Sequence, residues 1–261
     1  MRLRLHVETS GNGPALALLH GWGLHGGIWQ SIRGALARHF TLHIIDLPGH
    51  GYSKHIEAAS LAGMGHAVVE SLPERFHLCG WSLGGQVAMH VAAYSPARVE
   101  KLVLVSSTPS FIQRADWAPA MAPGVLEDFA ARLKTDYRKT LLNFLRLQVL
   151  KDPHADAHAL SLFHDLCEML FARGEPHPAA LSDGLSILRD SDLRDVVTRI
   201  DHAALVVHGD RDTLIPRLAG DWLAQNLVDA HYLPLQRCGH VPFLSHPARF
   251  VAAVIEFLET P

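Results

Sequence analysis

The chain has 261 residues, of which 48% are apolar and 19% are charged, and its formal net charge is −3. This composition excludes intrinsic disorder and suits one large folded domain or two small ones. A slightly acidic chain argues against nucleic acid as the main partner, and no apolar run approaches the roughly 20 residues that a transmembrane helix needs. Three widely spaced cysteines and an N-terminus without an apolar signal region favour reduced thiols in a cytoplasmic protein.

Short apolar runs alternate with helical stretches along most of the chain. The first 13 residues alternate between apolar and polar and predict a strand. Six buried strands follow, at 15–20, 40–46, 76–80, 101–107, 204–210 and 230–235. Helices are predicted at 27–38, 60–72, 83–94 and 217–227, with a last one at 246–259. Strands that are apolar throughout are covered on both faces, so the pattern predicts an α/β protein with a mostly parallel central sheet and helices on both faces.

The alternation stops between residues 109 and 190, where the strand signal disappears and long amphipathic helical stretches replace it. An all-helical insertion between two strands of such a sheet is expected over the carboxyl ends of the strands, where open α/β sheets bind ligands. We therefore expect a core made of residues 1–108 and 191–261, and an inserted helical lid made of residues 109–190.

The segment "GWSLG" places Ser82 between a predicted strand and a predicted helix, in the pattern G-x-S-x-G. A serine at such a sharp turn has strained backbone angles, so small neighbours such as Gly80 and Gly84 are needed to avoid clashes. The turn projects the hydroxyl above the sheet, beside the free N–H groups of the new helix. We interpret Ser82 as a catalytic nucleophile; the alternative is a glycine-rich turn with a purely structural role.

A serine nucleophile needs a base, and the base needs an orienting carboxylate. The order expected for this architecture is serine, then aspartate or glutamate, then histidine. "HGDRD" offers Asp210 and Asp212, and we favour Asp212 because Asp210 directly follows a glycine at the strand end and suits a turn cap. "CGHVPFLSHP" offers His240 and His246, and we favour His240 because His246 precedes a proline that starts the last helix.

The tetrahedral intermediate of such a reaction needs hydrogen-bond donors for its oxyanion. The backbone N–H groups of Leu83, which follows the nucleophile, and of Trp22, in the glycine-rich "HGWG" loop, are the candidates. The alternative for that loop is a plain connection around a buried tryptophan. His20, Asp46 and His50 are interpreted as structural. No metal or cofactor is predicted, since no His/Cys cluster has zinc spacing and no G-x-G-x-x-G follows a strand.

Taken in order, "HGWG", "DLPGHGYS", "GWSLGG", "GDRD" and "GH" resemble the α/β-hydrolase superfamily over nearly the whole chain. "LLHGWGLHGGIW", "GWSLGGQVA", "FLRLQ" and "SHPARF" are further similar to the carboxylesterases of biotin synthesis. That resemblance implies cleavage of an acyl methyl ester carried by acyl carrier protein. It also implies an acyl site lined by a set of lid and core residues, namely Phe144, Leu145, Arg146, Leu147 and Gln148 with Trp22, Ser82, Leu83 and His240.

Acyl carrier proteins are acidic, so a lid that docks one is expected to be basic. The lid segment 132–151 holds six cations against Asp136 alone: Arg132, Lys134, Arg138, Lys139, Arg146 and Lys151. A solvated helix face is equally compatible with this run, and the second lid helix carries histidines and acids instead. The alternatives are a general short-chain carboxylesterase, a carbon–carbon bond hydrolase, a lactonase or a cofactor-free peroxidase, or a binding protein of the same fold. We expect a monomer.

Overall fold

The computed structural model describes residues 4–149 and 157–260. Within these residues, seven strands form one sheet: β1 (Val7–Ser10), β2 (Ala15–Leu19), β3 (Thr41–Ile45), β4 (Phe76–Trp81), β5 (Val99–Val105), β6 (Ala203–Gly209) and β7 (Asp229–Leu235). Their order across the sheet is β1-β3-β2-β4-β5-β6-β7. Only β1 is antiparallel to its neighbour, and the other neighbouring pairs are parallel. The mostly parallel sheet predicted from the sequence is confirmed.

Eleven α-helices are described: α1 (Gln30–Leu36), α2 (Leu61–Glu70), α3 (Leu83–Tyr94), α4 (Pro123–Thr135), α5 (Tyr137–Val149), α6 (Ala157–Ala172), α7 (Pro178–Asp190), α8 (Arg194–Val197), α9 (Arg217–Asn226), α10 (Pro242–Ser245) and α11 (Pro247–Glu259). Among the helices that contact one another, α1 packs against α11, and α2 packs against α3. All six residues of β4 are buried, as expected of a strand covered on both faces. None of these helices has the length and apolarity that crossing a bilayer requires.

The amphipathic run after residue 123 is not one helix. It breaks at Asp136, whose backbone leaves the helical region with φ −149° and ψ 79°. The Asp136 carboxylate accepts a hydrogen bond from the Lys139 N–H at 3.1 Å, as an N-cap does, and so begins α5. Apolar periodicity alone does not reveal this break, because both helices continue the same amphipathic pattern.

The helix predicted at 27–38 also begins differently. Residues Gly26–Trp29 form a 3₁₀ turn, started by His25, whose Nδ1 accepts a hydrogen bond from the Gly27 N–H at 3.1 Å. Trp29 is fully buried, and its ring lies against Phe243 with centroids 4.3 Å apart. Phe243 also contacts Trp81, which is adjacent to the serine turn. An aromatic cluster therefore joins the first helical turn, the central strand and the loop of His240 into one packed unit.

Candidate active site

Ser82 lies at a strained turn between β4 and α3. Its φ of 55° and ψ of −118° are unusual for a residue with a side chain. The Ser82 N–H donates to the Val105 carbonyl at 3.0 Å, and the Ser107 hydroxyl donates to the Ser82 carbonyl at 2.9 Å. A Cβ at Gly80 would lie 2.2 Å from the Gly84 oxygen, so only glycine permits this approach. The turn has the geometry that the sequence motif predicts, with the neighbouring strand holding the strain in place.

The N-terminus of α3 and the loop after β2 meet beside Ser82. A Cβ at Gly21 would lie 3.2 Å from the Ser82 Cβ, which places the "HGWG" loop against the serine. In the described part of the chain, neither the Trp22 nor the Leu83 backbone N–H donates a hydrogen bond to a protein group. The Trp22 ring, by contrast, is anchored, since its Nε1 donates to the Leu181 carbonyl at 2.9 Å. Two backbone donors are thus left without protein acceptors next to the strained serine.

Two buried histidines brace this loop. His20 donates from Nδ1 to the Gly21 carbonyl at 2.8 Å and accepts the Leu47 N–H at Nε2 at 2.9 Å. His50 donates from Nδ1 to the Pro48 carbonyl at 2.8 Å and accepts the Gly23 N–H at 3.3 Å. Burial, with the nearby His50 ring, lowers the pKa of His20 to about 3, and burial lowers that of His50. Each ring uses one nitrogen as donor and the other as acceptor, which requires the neutral form.

Asp46 and Arg173 form a second brace that the sequence did not reveal. Asp46 is fully buried and accepts hydrogen bonds from the Gly26 and Tyr52 N–H groups at 2.7 and 2.9 Å. The Arg173 guanidinium, just after α6, pairs with Asp46 at 3.1 Å and also contacts Glu8. Burial acts to raise the pKa of Asp46, but His20, these two N–H groups and Arg173 together hold it below its usual value. The end of α6 is therefore fixed to the first strands.

His240 and Asp212 are brought together as a buried pair. His240 Nδ1 lies 2.7 Å from Asp212 Oδ2, and both side chains are almost fully inaccessible. Asp212 Oδ1 accepts the Leu214 and Ile215 N–H groups at 2.9 and 3.0 Å. Burial acts to raise the pKa of Asp212, but the charge and hydrogen bond of His240, followed by His208 and the Ile215 N–H, outweigh burial and lower it. The carboxylate is therefore ionised and aligned with one imidazole nitrogen.

His208 is a third member of this cluster and was not predicted. Its Nε2 donates to the Ile215 carbonyl at 3.0 Å and lies 3.6 Å from Asp212 Oδ2. Burial lowers the pKa of His208. The ring thus supports the Asp212 loop from within the core. Its position at the end of a buried strand, four residues before the aspartate, is the only sequence signal that could have pointed to it.

The two residues not favoured from the sequence lie elsewhere. Asp210 Oδ1 accepts the Cys238 N–H at 3.2 Å and so links the turn after β6 to the loop that carries His240. His246 precedes α11, and its Nδ1 lies 2.9 Å from the Ser245 hydroxyl. Neither residue belongs to the buried pair formed by His240 and Asp212.

Trp81 connects the serine turn with the histidine loop. Its Nε1 donates to the His240 carbonyl at 2.8 Å, and its ring centroid lies 5.4 Å from that of His240. Within the described residues the Ser82 hydroxyl and the His240 imidazole are not hydrogen-bonded to each other. Such bonds often form only once the substrate is bound. The structure thus brings Asp212 and His240 into contact. Trp81, the residue before Ser82, bonds the His240 loop and so joins the serine turn to this pair.

The helices between β5 and β6 cover this region with aromatic side chains. Phe129 of α4 and Phe144 of α5 contact the Trp22 ring, with centroids 5.4 and 5.0 Å away. Gly184 of α7 approaches the same ring so closely that a Cβ there would lie 2.5 Å from Trp22 Cδ1. Three helices of the segment expected to be a lid therefore meet on the residue expected to supply an oxyanion donor.

The residues Phe144 to Gln148 do not all face inward. Leu145 and Gln148 are buried, Phe144 is partly buried, and Arg146 and Leu147 are exposed. Both polar atoms of the Gln148 amide are buried without a hydrogen-bond partner in the described residues. The Gln148 backbone carbonyl accepts the His240 N–H at 3.1 Å, which places this glutamine beside the imidazole loop.

A cavity of about 530 Å³ lies between α4 and α7. Its walls are mainly apolar, with Leu126, Leu133, Leu181 and Leu185 among them, and Lys134 also lines it. The backbone carbonyl of Leu181 also accepts the hydrogen bond from Trp22 Nε1. The Trp22 side chain therefore links this cavity to the loop beside Ser82.

Comparison with known proteins agrees with this architecture. The model of an alpha/beta hydrolase family matches residues 16–253. The pimeloyl-[acyl-carrier protein] methyl ester esterase of Nitrosomonas europaea is 43% identical, over 95% of this chain and 97% of that protein. The esterase of the same name from Nitrosospira multiformis is 42% identical, over 98% of both. The crystal structure of a hydrolase from Pseudomonas aeruginosa superposes with a TM-score of 0.82 at 27% identity, covering 98% of this chain and 94% of that one.

The family match spans most of the strands and the serine turn, and the two relatives are similar over almost their entire lengths. The resemblance stated from the sequence motifs is confirmed, as is the α/β-hydrolase fold. This chain belongs to the alpha/beta hydrolase family and, within it, to the family of the pimeloyl-[acyl-carrier protein] methyl ester esterases.

Proposed function

We propose that this protein is a serine carboxylesterase that hydrolyses the methyl ester of a pimeloyl group carried by acyl carrier protein. The observation that carries the proposal is the buried His240–Asp212 pair, 2.7 Å apart, beside a serine held at a strained turn. Membership of the esterase family supplies the substrate class. The general carboxylesterase, carbon–carbon hydrolase and lactonase alternatives are not favoured, because relatives at about 40% identity share one name.

In this proposal Asp212 holds the Nδ1–H of His240, which leaves the Nε2 lone pair free to act as a base. The Ser82 oxygen attacks the ester carbonyl carbon while its proton passes to Nε2. When the tetrahedral intermediate collapses, the C–O bond to the methoxy group breaks and that group leaves as methanol with the proton from His240. Water then attacks the acyl-enzyme, again with His240 as the base, and the carboxylic acid and free serine are formed.

The oxyanion of both tetrahedral intermediates would accept hydrogen bonds from the Leu83 and Trp22 N–H groups. Their lack of protein acceptors supports this role, because donors fixed in advance need no reorganisation during the reaction. The loss of one such donor typically costs about 2.7–4 kcal/mol of transition-state stabilisation. The His20 and His50 bonds to the "HGWG" loop would keep the Trp22 donor in place.

We further propose that residues 109–190 act as a lid over a core of residues 1–108 and 191–261, and that the acyl chain lies beneath α5. The Phe144 ring against Trp22 offers an apolar wall. The unpartnered Gln148 amide offers a donor and an acceptor, and a buried amide without partners is costly unless a ligand satisfies it. A polar ester group joined to an apolar acyl chain suits this combination.

An acidic carrier protein would dock on the exposed cations of α4 and α5. Arg132, Lys134, Lys139 and Arg146 are exposed, and none of the four forms an ion pair with a described residue. Arg138 is paired with Glu175 at 2.7 Å and lies over the Phe171 ring. Lys151 lies outside the described residues. The unpaired cations support an interaction with acidic side chains of a partner, since complementary charges steer association.

Replacing the nucleophile tests the proposal. Ser82→Ala should lower kcat on pimeloyl-acyl carrier protein methyl ester, measured as release of the free acid, by a factor of about 10⁴ or more. The melting temperature should be equal to or above that of the wild type, because alanine keeps the size of the side chain. Ser31→Ala, on the exposed side of α1, is the matched control and should behave as wild type. Retention of more than about 1% of the activity by Ser82→Ala would rule out the proposed mechanism.

A further inference from the structure

The last turn of α5 accepts a hydrogen bond from each of the two loops that carry the acid and the base. The Leu147 carbonyl accepts the Thr213 hydroxyl at 2.8 Å. The next carbonyl, that of Gln148, accepts the His240 N–H at 3.1 Å. Carbonyls in the final turn of a helix have no partner inside that helix, so they are available to bind other parts of the chain. Two consecutive carbonyls of the inserted segment therefore contact both catalytic loops.

The contact is close on both sides. Thr213 directly follows Asp212, whose carboxylate is fixed within its own loop by the Leu214 and Ile215 N–H groups. A Cβ at Gly239, directly before His240, would lie 2.8 Å from the Gln148 oxygen. The histidine loop thus approaches α5 at a distance that a larger residue would prevent. Moving the end of α5 would move both loops.

The two loops are also joined directly at their beginnings. Arg211 N–H donates to the Cys238 carbonyl at 2.9 Å, and the Cys238 N–H donates to Asp210. Beyond these bonds, the Asp212 and His240 segments are connected through their own 2.7 Å side-chain contact and through α5. A side-chain hydrogen bond of 2.7 Å tolerates little displacement of either partner.

We infer that Thr213 is a positioning residue, which acts through Asp212 by tying its loop to the carbonyl end of α5. The helix serves as a common support that sets the distance between the carboxylate and the imidazole. This inference rests on the proposed function of Asp212 and His240 as acid and base. It assigns to α5 a role in catalysis that is separate from contact with the acyl chain, because the groups involved are backbone carbonyls.

The test uses two substitutions of Thr213 and a small ester, p-nitrophenyl acetate, which does not depend on docking. Thr213→Val removes the donor and keeps the shape, and it should lower kcat about tenfold with KM within twofold of wild type. Thr213→Ser keeps the hydroxyl and should restore kcat to within twofold. The control is Thr198→Val, since the Thr198 hydroxyl donates to the Asp195 carbonyl at 3.1 Å on an exposed surface away from these loops. Its kcat should be unchanged.

A Thr213→Val enzyme with kcat within twofold of wild type would overturn the inference. So would equal losses in the valine and serine variants, because the effect would then not depend on the hydroxyl. Ser82→Ala is measured alongside with the same ester. If Ser82→Ala is inactive while Thr213→Val is unaffected, only the positioning role fails; if Ser82→Ala remains active, the proposed function itself fails.

Discussion

Helices α3 and α4 are almost equal in length but have different surroundings. Nine residues of α3 are buried, including Leu83, Gly84 and Gln86, whereas Leu126 is the one buried residue of α4. Helix α3 packs on β4 and β5, whereas α4 packs mainly on α5 and α7. A strained residue such as Ser82 persists only where its surroundings determine it completely. The core therefore carries the strained serine turn, and the inserted helices are free to vary around it.

The insertion itself is not uniform. Its later helices are fixed to the core, through the contacts of Arg173 with Asp46 and of His25 with the Met169 carbonyl at 2.6 Å. The end of α5 is fixed to the loops of Asp212 and His240. Among the described residues, no side chain of α4 forms a hydrogen bond or an ion pair with the core, although Phe129 reaches the Trp22 ring. We therefore expect changes in the core to affect folding, and changes on α4 to affect binding.

Paired glycine substitutions give the largest contrast between the two regions. Gly80→Ala in β4 should destabilise the fold by about 3 kcal/mol, because the added methyl would lie 2.2 Å from a backbone oxygen that cannot move aside. Gly124→Ala in α4 meets nothing within 4 Å and should stabilise by about 0.5–1 kcal/mol, since alanine favours the helix. Urea denaturation measures both. Equal effects of the two substitutions would contradict the comparison.

Acid should destabilise the core through its buried histidines. Burial lowers the folded-state pKa of five of them: His20, His25, His50, His77 and His208. Below pH 6.5 the unfolded chain binds protons that these folded sites refuse, so the free energy of unfolding falls as pH falls. His20 alone lowers the free energy of unfolding by at most about 1.4 kcal/mol per pH unit, and this decrease continues down to its folded-state pKa of about 3.

Urea denaturation at pH 7.5, 6.5 and 5.5 measures this effect. His164 and His177 of the insertion are exposed, so we assign the acid sensitivity to the buried rings of the core. A free energy of unfolding that is the same at pH 7.5 and pH 5.5 would show that the buried rings do not remain neutral in the folded state.

Charge reversal on the insertion should give the smallest effect. Arg132→Glu with Lys139→Glu, one on each of α4 and α5, should lower kcat/KM on the carrier-bound ester by about tenfold at low salt. The loss should shrink in 0.5 M salt, where charges are screened, and kcat/KM on p-nitrophenyl acetate should stay within twofold of wild type. Arg249→Glu, exposed on α11 of the core, is the control. An equal loss on both esters would contradict docking at these helices.

The sequence was sufficient for the sheet and the strained turn, because their signals are local. Continuous apolar runs mark strands covered on both faces, and the glycines around Ser82 mark a turn that excludes side chains. The positions at which helices begin and end were harder to predict from the sequence. The break at Asp136 and the 3₁₀ turn at Gly26 depend on single side-chain caps inside patterns that otherwise continue.

The order of motifs along the chain narrowed the acid and the base to two candidates each. Asp210 and Asp212 are only two residues apart, and their separate contacts follow from how the turn after β6 meets the loop before α10. Arg173 and Thr213 carried no signal that distinguishes them from ordinary charged or surface residues, and the only signal for His208 was its position four residues before Asp212. Each of these residues has its role in the site because it bonds a group from another segment of the chain.

The sequence by itself determined the fold and the residue types of the candidate site, since strand periodicity and glycine sterics act over a few neighbouring residues. Tertiary structure alone decided the supports of that site: the neutral histidines under the Trp22 loop, Arg173 on Asp46, and the end of α5 between the loops of Asp212 and His240. The physical reason is that a hydrogen bond or ion pair between distant segments requires angstrom-scale placement of both partners. Only the packing of the whole core and its insertion supplies that placement.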